Sequence, residues 1–161
     1  QFASWHDLTN NTMDATPGGV PLCCYWKVGP DEVGLIEVTP PDAYWWNFEF
    51  GNCYWETMDY RHHMSSVNSK MVELEDDGSL RIAIAEEDPG LANWLDCCGH
   101  REGYVTVRWI MSEDRPLPGL RVVKRADLEA ELPKGARRVD AAARGAELRR
   151  RQIGLERRFR A

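Results

Sequence analysis

The feature that most constrains this chain is a series of short apolar or alternating runs separated by Gly, Pro, Asp and Asn. The runs span Val20 to Lys27, Val33 to Val38, Ala43 to Phe50, Val67 to Glu73, Leu80 to Ala85, Tyr104 to Met111 and Leu120 to Lys124. Side chains of a strand point alternately to its two faces, so period-two patterning over such lengths specifies half-buried strands. Seven strands at this spacing predict an all-β fold, an antiparallel sandwich or barrel.

Two runs show the faces directly. In Ala43 to Phe50, Tyr44, Trp46, Phe48 and Phe50 share one face and should line the interior, with Trp45, Asn47 and Glu49 on the other. In Leu80 to Ala85, Leu80, Ile82 and Ile84 alternate with Arg81, Ala83 and Ala85, so the second face is expected to be partly wet. Asp76-Asp77-Gly78-Ser79 reads as a hairpin turn between Met71-Leu74 and Leu80-Ile84, and Val28-Gly29-Pro30-Asp31 as another break.

The ends of the chain read differently. Residues 1–19 are polar and turn-rich, closing on Thr16-Pro17-Gly18-Gly19, and are expected to form an extended arm. Residues 20–125 make the β-sandwich domain, and 126–161 a helical, Arg-rich extension. Within it a short helix over Ala126 to Leu132 stops at Pro133-Lys134-Gly135, and a longer one over Arg138 to Arg160 carries only the thin apolar stripe of Leu148, Leu155 and Phe159. Gly145 and Gly154 weaken that helix, which therefore needs a surface to lie on. Position 1 is Gln rather than Met, so the chain is expected to be processed or part of a longer one.

Charge narrows the partners. The formal net charge is -6, yet residues 134–161 carry ten Lys/Arg against three acids, about +7, leaving -13 on residues 1–133. An acidic body repels phosphate, and the tail has one aromatic and no fingerprint motif, so nucleic acid is not expected as a partner. The tail suits an acidic protein face, on this chain or on a neighbouring subunit, and a homo-oligomer or protein partner is expected. No apolar run approaches the roughly 18 residues of a membrane span, so no membrane is expected either. Five cysteines, with Cys23-Cys24 and Cys97-Cys98 adjacent, lack the spacing of a secreted disulfide framework and suggest reduced thiols in a cytoplasm.

Polar chemistry concentrates between Asp88 and Trp109, where Asn93, Asp96, Cys97, Cys98 and His100 crowd together ahead of a β-rich run. His100 paired with Asp96 has the makings of an oriented base, and these are the candidate catalytic residues. Turn-capping by Asn and Asp explains the same composition without catalysis. Cys97, Cys98 and His100, with His62, His63 or Cys53 from another loop, offer zinc-type donors. Adjacent cysteines are a poor chelate, however, so neither a metal nor a cofactor is expected. Trp45, Trp46, Tyr54, Trp55 and Tyr60 either pack in the core or line a groove for an apolar or sugar-like small molecule.

Taken together, Pro40 to Trp45, Trp55 to Tyr60, Ser66-Val67-Asn68, Asp77-Gly78-Ser79, Asp88-Pro89-Gly90, Asn93-Trp94-Leu95-Asp96, Gly99-His100 and Arg108-Trp109 resemble the bacterial family catalogued as domain of unknown function twelve-fourteen. The resemblance covers roughly 31–132 and implies a jelly-roll-like β-domain, often C-terminal in longer proteins that carry a second β-domain, with no settled activity. Cys97-Cys98 departs from the small residues expected there, so a thiol site is not inherited from the family. The candidate ligand-binding residues are Trp55, Glu56, Tyr60, Asn68, Asn93, Trp94 and Arg108. Asn93, Asp96 and Trp94 are equally a framework that fixes the loop, with Arg108 paired to Asp96 or Glu56. The leading expectation is a ligand-binding or assembly domain working beside another domain or subunit. The rival is an enzyme acting on a small apolar or oxygenated metabolite between the 55–63 segment and the 93–100 loop.

Overall fold

The alternation written in the sequence is realised as nine strands in two sheets, seen in a computed structural model that describes residues 4–7, 19 and 21–159. The strands are β1 (His6–Asp7), β2 (Leu22–Lys27), β3 (Glu32–Val38), β4 (Trp45–Asn52), β5 (Ser66–Asn68), β6 (Leu80–Ala85), β7 (Trp94–Asp96), β8 (Glu102–Ile110) and β9 (Gly119–Lys124). One sheet has the order β1-β2-β8-β4-β5 and the other β7-β6-β3-β9. Every ladder is antiparallel except β6 with β7. The chain is thus a two-sheet β-sandwich followed by a short helix α1 (Leu128–Glu131) and a long one, α2 (Ala141–Phe159).

The aromatic face of β4 meets β8 and β2 in the interior. Trp46, Phe48 and Phe50 are buried, Phe50 stacks on Trp26 with centroids 4.3 Å apart, and Trp109 meets both Trp46 and Phe48 edge-on. Edge-to-face and offset stacking are the arrangements aromatic quadrupoles favour, so shape and electrostatics agree here. Tyr44, expected inside, precedes β4 and is 81% exposed.

Three departures from the sequence pattern have local causes. Val67 to Glu73 yields only the three residues of β5, because Met71 N–H and Val72 N–H both bond to Asn68 O and turn the chain. Gly78, at φ 81, makes the expected turn at 76–79, but the segment before it is no strand. Its pairing with β6 is mediated by the Asn93 side chain. Ala83 and Ala85, expected on a wet face, are fully buried, since Trp94 of β7 lies beside them and donates its indole N–H to Ala85 O at 2.9 Å. Leu128 is also buried against the core, with Leu132 and Ala136 packed on it.

Most of the 1–19 arm lies outside the described residues. Within it β1 pairs with β2, and Trp5 donates its indole N–H to Pro118 O at 2.8 Å.

Helix α2 supplies the missing edge of the sandwich. Asp140 caps it by accepting Ala143 N–H at 2.7 Å. Just upstream, Ala92 N–H bonds Arg137 O and Val139 N–H bonds Gly90 O, which ties the tail to the start of the 91–96 segment. Arg144 then reaches Asp88 and the backbone at Leu91 and Ala92, while Arg151, two turns on, reaches Tyr60 and Ser66. The helix therefore runs from the β7 edge of one sheet to the β5 edge of the other. No described helix is long and apolar enough to cross a membrane.

Candidate functional site

Two arrangements carry chemical potential, and α2 passes beside both. The first is a groove of about 680 Å³ between α2 and the β5 edge, where Tyr60, Asn68, Met71, Leu155 and Phe159 give apolar and aromatic walls. Around them stand Lys70, Arg150, Arg151 and Arg158. Glu147 is the one carboxylate of the lining, and it is paired with Arg144. Arg151 is held by three acceptors: Tyr60 O at 3.0 Å, Ser66 O at 3.2 Å and Ser66 Oγ at 2.9 Å. None of them is charged. Burial pushes the Arg151 guanidinium below its ordinary pKa, opposed in part by the nearby Glu147 charge. Among the described residues no carboxylate pairs with Lys70, Arg150 or Arg158.

The second arrangement lies between the 53–63 segment and the turn after β7. His63 Nδ1 sits 2.7 Å from Asp96 Oδ2, and Cys98 N–H donates to Asp96 Oδ1 at 2.8 Å. Cys98 adopts φ 51, a left-handed conformation uncommon for a side-chain-bearing residue, followed by Gly99 at φ 79. Burial, reinforced by the Asp96 and Asp59 charges, pushes the Cys98 thiol up to about 12, so it is a thiol rather than a ready nucleophile at neutral pH. Cys97 is packed in the core and is pushed equally high by burial.

The expected site residues divide among these places and others. Asp96 is brought to the inter-segment site, but its partner there is His63. His100 is exposed, its backbone N–H closing the turn on Cys97 O at 2.8 Å, and the expected His100–Asp96 pair is not formed. The physical reason is the tight turn, whose 97-to-100 bond carries the His100 side chain outward while Asp96 faces Met64 and His63 across the edge. Tyr60 and Asn68 line the α2 groove.

Trp55 belongs to a different, 270 Å³ pocket with Cys23, Cys53 and Tyr104. There it stacks on Tyr104 with centroids 4.3 Å apart. The Tyr104 ring lies over Gly51 so closely that a Cβ on Gly51 would come within 2.2 Å of it, so the stack depends on glycine at that position.

Glu56 serves the turn after β4, accepting from Asn52 Nδ2 at 2.7 Å. Asn93 and Trp94 are structural. Asn93 accepts from Glu73 N–H at 2.9 Å and donates to Glu73 O and Arg81 O, acting as a rung between a non-strand segment and β6. Arg108 pairs with Glu49 at 3.6 Å on the outer sheet face, and not with Asp96 or Glu56, because β4 and not the 93–96 segment is its neighbour.

Sequence reasoning missed Arg144 and Arg151, and it offered His63 only as one of several candidate metal donors, without its contact to Asp96. The two arginines and Leu148 and Leu155 follow helical spacing from 144, and the signal lay in reading arginine as a facing residue rather than as solvent-side charge. Nothing in the spacing told His63 from its neighbour His62 as the histidine that meets Asp96.

The fold and these sites define a β-sandwich module whose C-terminal helix completes one edge. No protein-family model matches the chain, and no curated protein does. Among solved structures, it is similar to an uncharacterised protein from Burkholderia cenocepacia, with a TM-score of 0.72 at 31% identity over 76% of this chain and 35% of that one. It is also similar in fold to the VPA0106 protein from Vibrio parahaemolyticus, with a TM-score of 0.52 at 17% identity over 73% of this chain and 34% of that one. The chain thus spans about a third of the length of each.

Proposed function

We propose that this chain is a ligand-binding β-module of a longer bacterial protein, of the jelly-roll type found in the twelve-fourteen family, and that it takes a small organic anion into the α2 groove. The observation that carries this reading is the groove itself, a cleft of about 680 Å³ with four cationic side chains around an aromatic floor. That volume falls in the range of roughly 300–1,000 Å³ typical of small-molecule sites. The one lining carboxylate is committed to Arg144, so an anionic ligand would neutralise Arg151 in a partly desolvated setting, where charge pairing is strong. The length of both structural neighbours supports work beside another domain or a subunit. Five free cysteines support a reducing, cytoplasmic setting.

Naphthalene-2-sulfonate, an aromatic anion of suitable size, tests the reading by calorimetric titration, with the neutral naphthalene-2-sulfonamide as control. Saturable one-to-one binding of the anion, weakened about tenfold by Arg150→Gln with Arg158→Gln, is expected; loss of two charge-assisted contacts accounts for that factor. Equal binding of anion and amide, or no effect of the double variant, would contradict it.

A second reading, an enzyme with its site between the 55–63 segment and the 93–100 loop, is favoured by the His63–Asp96 contact of 2.7 Å. A carboxylate on one imidazole nitrogen orients the ring and leaves the other nitrogen free to act as a base. In that reading His63, rather than His100, is the base.

A further inference from the structure

The inter-segment site has a chemistry that the groove does not share and that stands whether or not the groove binds anions. His63, from the segment after β4, and Asp96 and Cys98, from β7 and its turn, place one donor atom each so that all three lie within 4.8 Å of one another. We propose that His63, Asp96 and Cys98 bind a divalent cation of the zinc class, with three protein ligands and a fourth position open to solvent.

The donor set points to this metal class. Imidazole nitrogen, carboxylate oxygen and thiolate sulfur are the groups zinc accepts, the Cys98 thiol losing its proton to solvent as the metal binds, and bonds of about 2.0–2.3 Å set tetrahedral ligand atoms about 3.3–3.7 Å apart. Side-chain rotation brings the three donors from their present spacing to that one. The 2.7 Å contact of His63 with Asp96 opens to that spacing, and all three donors already lie within 4.8 Å of one another.

The charge around Asp96 gives an independent reason. Its side chain is only 12% exposed, and no Lys or Arg among the described residues forms an ion pair with it. A nearly buried carboxylate requires a compensating positive charge, and among the described residues the His63 ring is its one ion-pair partner. A cation bound by His63 and Asp96 together supplies positive charge through direct coordination of the carboxylate.

The ligands are also held from behind, as metal ligands are. Cys98 N–H fixes Asp96 Oδ1 at 2.8 Å, and the Cys98 thiol donates to Asp96 O at 3.5 Å. Cys98 is held at φ 51, and a strained non-glycine conformation persists only where its surroundings impose it. His63 keeps 41% of its side chain exposed, which gives a cation its approach and leaves room for a water or ligand in the fourth position. The adjacent Cys97 faces the core, so the Cys97-Cys98 pair contributes a single ligand.

Cobalt is the probe. Protein stripped with a chelator and titrated with Co²⁺ should develop, at one equivalent, the thiolate-to-cobalt charge-transfer band and the visible bands of four-coordinate cobalt, both erased by Zn²⁺. Cys98→Ser should abolish the charge-transfer band. His63→Ala, at a position whose side chain is 41% exposed, should weaken Zn²⁺ binding about tenfold or more. Cys53→Ser, which removes an exposed thiol elsewhere, should change neither. The absence of a saturable band in the unaltered chain, or its survival in Cys98→Ser, would overturn the assignment.

Discussion

The two halves of α2 use the same residue type to opposite ends. At its start Arg144 is 4% exposed and completely engaged, by Asp88, Glu147, the carbonyls of Leu91 and Ala92, and the Trp94 ring 5.5 Å away. Toward its end Arg151 is held only by neutral acceptors, and Arg150 and Arg158 stand in the groove with no carboxylate partner among the described residues. Two arginines one heptad apart on one helix face thus do different jobs. What decides the job is the set of partners each meets: two acids and a ring make a fastener, whereas carbonyls and a cleft leave positive charge available to a ligand.

If the first half is a fastener, breaking it should cost most. Arg144→Met leaves Asp88, Glu147 and two carbonyls without their donor, and a loss of about 3–5 kcal/mol in urea unfolding is expected. A loss below about 1 kcal/mol would mean that Arg144 is no more than a surface charge. Next in size is Asn93→Ala, which strips the rung between Glu73 and Arg81 and should cost about 1–3 kcal/mol.

The sequence showed some of this and hid the rest, for reasons that the same residues make plain. The Trp46, Phe48 and Phe50 face was legible because burial on one face enforces a period of two, and Leu80 to Ala85 because Leu80, Ile82 and Ile84 alternate with smaller or charged residues even though Ala83 and Ala85 are buried as well. β7 was not, because Trp94-Leu95-Asp96 is buried on both faces and shows no alternation; only its neighbours β6 and α2 make it a strand. Of the candidate site, the meeting of the 55–63 and 93–100 segments was anticipated and Tyr60 and Asn68 do line a cleft, but His100 faces outward and His63 takes the place beside Asp96. Which of several histidines turns inward is set by a tight turn that spacing does not encode. The docking face of α2 was hidden because its contacts are made largely by arginine, which a search for apolar stripes ignores.

A smaller effect contrasts the groove with the opposite sheet face, where cations are matched. Burial raises the Glu37 carboxyl, but hydrogen bonds and charges from Arg121 and Arg81 outweigh it and hold Glu37 below the ordinary glutamate range. A group lowered on folding contributes stability that is present above its unfolded pKa of about 4.3 and is lost as pH falls through the folded value. Glu37→Gln should therefore flatten the loss of stability on acidification below about pH 4 and leave the neutral-pH limb parallel to that of the unaltered chain. An unchanged acid limb would remove Glu37 from the account.

The smallest effect on stability is expected from Arg150→Gln with Arg158→Gln, within about 0.5 kcal/mol, since both side chains are exposed and form no ion pair among the described residues. That near-neutrality would separate the helix's two halves cleanly: one half holds the fold, and the other is free to hold something else.

The most direct measurement is to map where an organic anion lands. Titration of isotope-labelled protein with naphthalene-2-sulfonate, followed by amide chemical shifts, should move Tyr60, Ser66, Lys70, Leu155 and Phe159 together with a single affinity, while the amides of β3 and β9 stay in place. Shifts scattered over both sheets, or centred on the Trp55 and Tyr104 pocket with the α2 amides unmoved, would contradict the account.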